Sequence, residues 1–146
     1  MKKFSMKKII ALILVFAVTF SFVQAGNIAN AKGGKTWYFT KMNGKKSGLK
    51  KVSLKGNKLT IWGSLGKGSS GEKSINAYCN GKKVKYAKKT FTLSKNAEFY
   101  TGGGEDPLTT YSKEEFYEYF LSQVDMGLDL TIVVKNGKVI QIGITC

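Results

Sequence analysis

The chain has 146 residues, with 24 basic residues against 9 acids, no histidine, and a formal charge of +15. Every basic residue is lysine, which removes the guanidinium forks that read guanine edges and clamp phosphates, so sequence-specific nucleic-acid recognition is not expected. The missing imidazole removes the usual base for a serine or thiol nucleophile and the commonest nitrogen ligand for a metal.

The first element is a leader. Lys2, Lys3, Lys7 and Lys8 precede an apolar run from Ile9 to Val23, the charged and hydrophobic regions that a secretory translocon reads. Residues 1–25 are expected to be a signal peptide, cleaved after Ala25 or, in the alternative, after Ala31. The run falls short of the roughly 20 residues that span a bilayer, so no transmembrane anchor is expected. The product is then secreted and extracellular, either free or associated with the cell wall. Residues 32–146 are expected to form a single domain, since one proline, Pro107, and the lack of a Ser/Pro-rich tract leave no linker.

Thr36–Thr40 reads as a strand. Val52–Lys55, Gly56-Asn57 and Lys58–Ile61 read as a hairpin with a two-residue primed turn, Leu54 opposite Leu59 and Val52 opposite Ile61 on one apolar face. The stretch GSLGKGSSGEKS, residues 63–74, invites comparison with a phosphate loop. It fails because Glu72 separates Gly71 from Lys73, and because the next segment reads as a strand, not the helix such a loop feeds. That segment is expected to be a second hairpin, Ile75–Cys79, Asn80-Gly81 and Lys82–Tyr86, with Ala77 opposite Val84 and Ile75 opposite Tyr86. It places Cys79 on an apolar face near a strand end. Cys79 and Cys146 are the only cysteines, and in an oxidising compartment an intramolecular disulfide is expected, contributing roughly 4 kcal/mol on the chain-entropy model. Two separate thiols, or an intermolecular bridge through Cys146, are the alternatives.

Thr90–Leu93 and Glu98–Tyr100 read as two short strands. GGGEDP, residues 102–107, reads as a solvated loop in which Glu105 and Asp106 are candidate calcium ligands. Adjacent carboxylates on one loop do not make the facing pair of a glycosidase, and no other metal and no cofactor is expected. Ser112 as N-cap, Glu115 three residues later and a Tyr111–Phe116 staple start a helix. Its Phe116, Phe120 and Val124, joined by Leu121 and Tyr117, are expected to pack on the sheet, and Gly127 to end it. Leu128–Ile144 reads as a hairpin whose three-residue loop, with Gly137 left-handed, sets Ile140, Ile142 and Ile144 against Ile132, Leu130 and Leu128. Ser-x-x-Lys occurs at Ser47, Ser64 and Ser70 at about the chance frequency, and none is expected to open a helix as an acyl-enzyme motif does.

These elements give a mainly β fold with one α-helix, a small antiparallel OB-like β-barrel; the alternative is an α+β arrangement with the helix on an open antiparallel sheet. The stretch FTLSKNAEFYTGGGEDPLTTYSKEEFYEYFLSQ followed by LDLTIVVKNGKVIQIGI resembles the OB-like β-barrel domains of uncharacterised exported bacterial proteins. The resemblance spans about residues 49–144, with the second hairpin as an insertion and the amino-terminal strand as an addition. It implies a barrel whose ligand face carries part of the lysine surface.

Charge is unevenly distributed. Residues 32–89 hold 16 lysines and one acid, Glu72, whereas residues 90–146 hold 4 lysines and 8 acids. Such an excess concentrates anionic partners and makes their association salt-sensitive. The expected function is non-enzymatic: a monomer that binds anionic polymers such as teichoic acid or sulfated glycan. The candidate contacts are Lys45, Lys46, Lys50, Lys51, Lys82, Lys83, Lys85, Lys88 and Lys89, with Trp37, Trp62 and Tyr78 as stacking partners. The alternatives are a compositional excess of lysine on solvated strand faces, and a protein-interaction module such as an inhibitor or an envelope assembly component.

Overall fold

The computed structural model describes residues 33–146, so the expected leader and both cleavage sites lie outside the described residues. In chain order the elements are β1 (Lys35–Met42), β2 (Leu49–Lys55), β3 (Lys58–Gly68), α1 (Gly71–Cys79), β4 (Val84–Gly103), β5 (Asp106–Tyr111), α2 (Lys113–Ser122), β6 (Leu128–Lys135) and β7 (Lys138–Thr145). Among the described residues no helix is long and apolar enough to cross a membrane.

Five strands close a barrel. β1 pairs with β3 and β6, β3 with β4, β4 with β7, and β7 with β6, while β2 and β5 lie outside the ring on β3 and β4. The expected OB-like barrel fits, with three corrections. The β4–β7 pairing is parallel, β1 is a wall of the barrel and not an addition to it, and the described chain has two helices where one was expected. The β3–β4 pairing that closes the ring removes the open-sheet alternative.

Closure depends on two long strands that each serve several neighbours. β3 gives its first half to β2 and its last residues, Gly66–Gly68, to β1. β4, read from sequence as separate strands, runs unbroken for 20 residues. Its alternation was obscured because the register on β7 shifts between Leu93 and Glu98, with Lys95 and Asn96 exposed there.

The first hairpin has the expected register, Val52 opposite Ile61 and Leu54 opposite Leu59. Gly56, at φ 59°, supplies the left-handed first turn residue that a primed turn requires. The third hairpin differs from expectation. Asn136 and Gly137, both at positive φ, form a two-residue turn, and the extra residue enters later, between Val139 and Gln141 on β7. Ile142 therefore faces Ile132 and Ile144 faces Leu130, and the bulge brings Val139 to the same buried side.

The second hairpin is overturned: its first arm is α1. Ser70 caps the helix by accepting from the Lys73 N–H at 3.3 Å, and Ser74 and Tyr78, four residues apart, form its buried stripe. Asn80-Gly81 stops the helix, with Gly81 at φ 73°, the glycine C′ position of a helix end. The strand expected after the glycine-rich stretch is therefore a helix, and Ser70-x-x-Lys73 does open one. The glycines have a packing role: a Cβ on Gly66 would lie 2.0 Å from the Ser74 carbonyl oxygen, and one on Gly68 2.6 Å from the Ser74 nitrogen.

α2 starts as expected, with the full capping box between Ser112 and Glu115 and Tyr111 beside Phe116. Phe116 and Phe120 are buried in the barrel interior, with Phe99 5.3 Å from Phe116. Leu121 does not join them and is 48% exposed. The helix ends at Ser122, and Gly127 instead donates its N–H to the Met42 carbonyl at 2.6 Å.

The expected disulfide is absent. Cys79 and Cys146 are both free and exposed. The helix, not a strand, now carries Cys79 at its last residue, over β1 and β3, whereas Cys146 follows β7 and lies against Gly103 of β4.

Candidate anion-binding face

Residues directly opposite one another in an antiparallel pair project from the same face. β2, β3 and β4 lie side by side, so their outward residues form three rows. Lys51, Trp62 and Lys88 make the first row, Ser53, Thr60 and Thr90 the second, and Lys55, Lys58 and Thr92 the third. Alternation with Val52, Leu59, Ile61 and Phe91, all buried, fixes which side of each strand faces outward.

The tryptophan row is the most specific feature. Lys51 Nζ lies 5.0 Å and Lys88 Nζ 5.6 Å from the ring centroid of half-buried Trp62, so a cation from each neighbouring strand rests on one indole. Such contacts contribute about 0.5–1 kcal/mol each at exposed sites and hold the ammonium groups in place. In the second row the Thr60 and Thr90 hydroxyls share a 2.9 Å hydrogen bond, and in the third Lys58 Nζ donates to Thr92 Oγ1 at 2.6 Å. The ion pairs among the described residues are Lys41–Asp129 and Lys113–Glu114. Neither involves this face, and its cations are unneutralised.

A second group of lysines surrounds the β1–β2 loop. Lys83 Nζ sits 4.2 Å from the Tyr78 ring and donates to the Ser47 carbonyl at 3.1 Å, and Lys46 Nζ is 5.1 Å from the Tyr86 ring. Ser64 Oγ donates to the Lys46 carbonyl and accepts from the Tyr86 N–H. The loop is thereby pinned to α1 and to the start of β4.

The remaining expected contacts disperse. Lys50 occupies the bulge between Leu49 and Lys51, and Lys45, Lys82 and Lys85 are exposed, with no aromatic or acidic partner among the described residues. Lys89 faces the other way, opposite Ile61, with its Nζ 5.1 Å from Tyr38 and 5.4 Å from Phe91. Burial and the charge of Lys67 hold its pKa below the ordinary lysine value. Tyr78 is corrected as a stacking partner: it is buried edge-on against Phe39 with its hydroxyl bonded to the Ser47 carbonyl. Trp37 lies over Gly71 at the start of α1, which leaves Trp62 as the aromatic centre of the face. Lys55, Lys58 and the Ser/Thr row are not among the expected contacts, although the alternation of hydroxyls with apolar residues in Val52–Leu54, Leu59–Ile61 and Thr90–Thr92 carries the signal.

Glu105 and Asp106 do not sit in a loose loop. Asp106 begins β5 opposite Gly103, and Glu105 belongs to the tight turn between them, both exposed. Among the described residues no group of three metal-ligating side chains converges. Asp106 also borders a depression of about 340 Å³ with Pro107, Tyr119 and Cys146, whose lining contains no basic side chain. Compared with known protein families, curated proteins and solved structures, the chain matches none.

Proposed function

We propose that this protein is an exported, non-enzymatic domain that binds anionic polymers of the cell envelope or of a host through the outward face of β2, β3 and β4. The observation that carries the reading is the Lys51–Trp62–Lys88 row, a fixed aromatic platform between two cations, in a set of three cross-strand rows that contains no acid. Cations there attract a phosphate or sulfate backbone, the indole stacks on a ring of the polymer, and the hydroxyl row supplies hydrogen bonds to sugar. Lysine attracts without imposing fork geometry, which suits a repeating polymer better than a defined sequence. The test is a salt series on immobilised teichoic acid, heparin and single-stranded DNA with the wild type and Trp62→Ala. Retention that falls with salt and is weakened in the variant supports the reading; absent or salt-insensitive retention on all three supports removes it.

A second reading, a protein-interaction module, is favoured by β5. It is the terminal strand of the sheet, its residues are almost all exposed, and Leu108 is 67% exposed on it. Such an edge accepts an added strand. Neutralising Lys51 and Lys88 would leave that activity unchanged.

A further inference from the structure

Two lysines stand where the barrel pattern calls for apolar side chains. Tyr38 and Ile61 face the interior, and the residues directly opposite them are Lys67 and Lys89. Lys67 on β3 and Lys89 on β4 are therefore turned to the core side of their strands. They stand at the end of the barrel toward Lys35, away from the Met42 end, where the residues after α2 are hydrogen-bonded. Neither has an acidic partner among the described residues. Beside them β3 and β4 part after the Leu65–Val84 pair, leaving a cleft of about 230 Å³ lined by Tyr38, Leu65, Lys67, Val84, Ala87 and the Lys88–Lys89 segment. Its floor is apolar, Tyr38 and Leu65 being buried, and its lip is Val84, 51% exposed.

Desolvating one of two neighbouring cations costs free energy unless an anion joins them. An apolar pocket with convergent like charges is the form of a site that orients a ligand by one charged head. We propose that this cleft binds a small amphiphilic anion, its single carboxylate or phosphate held between Lys67 and Lys89 and its alkyl or aryl body laid on Tyr38, Leu65 and Val84. The site is distinct from the polymer face: Lys88 touches both, but Trp62, Lys51 and the hydroxyl row point outward. Its volume admits a chain of several carbons and not a polymer segment.

The test titrates the protein with octanoate, octyl phosphate, octanol and inorganic phosphate, following lysine and Tyr38 side-chain resonances by NMR. Octanoate and octyl phosphate are expected to bind at least about tenfold more tightly than octanol or inorganic phosphate, and their ratio tells a carboxylate site from a phosphate site. Lys67→Gln, at an exposed position, and Val84→Glu, which sets an acid on the exposed lip without touching the core, are each expected to weaken binding about tenfold. Lys51→Gln is expected to leave it within about twofold while weakening polymer retention. Octanol binding as well as octanoate, inorganic phosphate binding as well as octyl phosphate, or unchanged affinity in both Lys67→Gln and Val84→Glu overturns the proposal. So does an equal loss in Lys51→Gln, which would move the site to the outer face. Failure of the polymers to bind leaves these outcomes unaffected, so the two readings fail separately.

Discussion

Lys89 shows how a single residue sets stability against function. Its stem packs near Tyr38 and Phe91, and its ammonium is kept below its ordinary pKa of 10.5, first by burial and then by Lys67. A lysine whose folded pKa is depressed binds fewer protons folded than unfolded, so stability rises as pH climbs through the depressed value toward 10.5. At neutral pH the charge is a net cost. Lys89→Met keeps the stem and removes the charge, and we expect a gain on the order of 0.5 kcal/mol at about pH 7, modest because the group is half solvated. Urea denaturation should show the gain shrinking as pH rises through the depressed pKa toward 10.5 and wild-type Lys89 loses its proton. Tyr38 opposes this once pH passes 10.0, because burial holds its phenol above that value and the unfolded chain ionises first. A variant less stable than wild type at neutral pH would show that the ammonium is already satisfied.

At the scale of elements, helix α1 depends on the absence of side chains beneath it. A Cβ at Gly66 would meet the Ser74 carbonyl oxygen at 2.0 Å and the Tyr78 nitrogen at 2.7 Å, both on helix backbone or fixed to it, so the helix must lift. Gly66→Ala is expected to lose more than about 2 kcal/mol in urea unfolding, at the upper end of overpacking costs. The same contact explains why the segment was misread. Asn80-Gly81 is the signal for a hairpin turn and also for a helix stop, and only the glycines of β3, which make room for a helix over β1 and β3, decide between the two. Where the determinants were local the sequence was sufficient: the first hairpin has its expected register, and α2 starts at Ser112 with its capping box. Where they lay across the barrel it was not, as in the unbroken run of β4, the place of β1 in the ring and the site of the β7 bulge. The lysine face was legible as a composition but not as a geometry, because which lysines flank Trp62 follows from the β2–β3–β4 register. At α2, Ser112→Ala should cost about 1 kcal/mol. Glu115 is held below its ordinary 4.5 by the Ser112 hydroxyl and N–H. Its contribution is present above that ordinary value and is lost as pH falls through the depressed one, so Glu115→Gln should flatten the acid limb of the stability profile.

Across the whole molecule the charge is divided as the chain is. The chain from β1 through the first half of β4, loops included, carries most of the lysines, while β5, α2 and the turns around them carry Glu105, Asp106, Glu114, Glu115 and Glu118. A body with such a dipole is turned by a polyanion before contact, and the effect is long-ranged and screened by salt. Net charge alone would attract polymers equally wherever lysines are placed, so position is the discriminating variable. Lys51, Lys55 and Lys88 lie on the Trp62 face, whereas Lys35, Lys135 and Lys138 are paired with one another at the start of β1 and the β6–β7 turn. Two triple variants, each exchanging one set for glutamine, change net charge identically. On single-stranded DNA the first is expected to lower the slope of log affinity against log salt by about 2, since each lost phosphate contact releases about 0.7 fewer counterions, and the second by less than about 1. Equal slopes in the two variants would mean that the lysines act only as a diffuse charge, and the excess would then reflect composition on solvated strands and not a binding face.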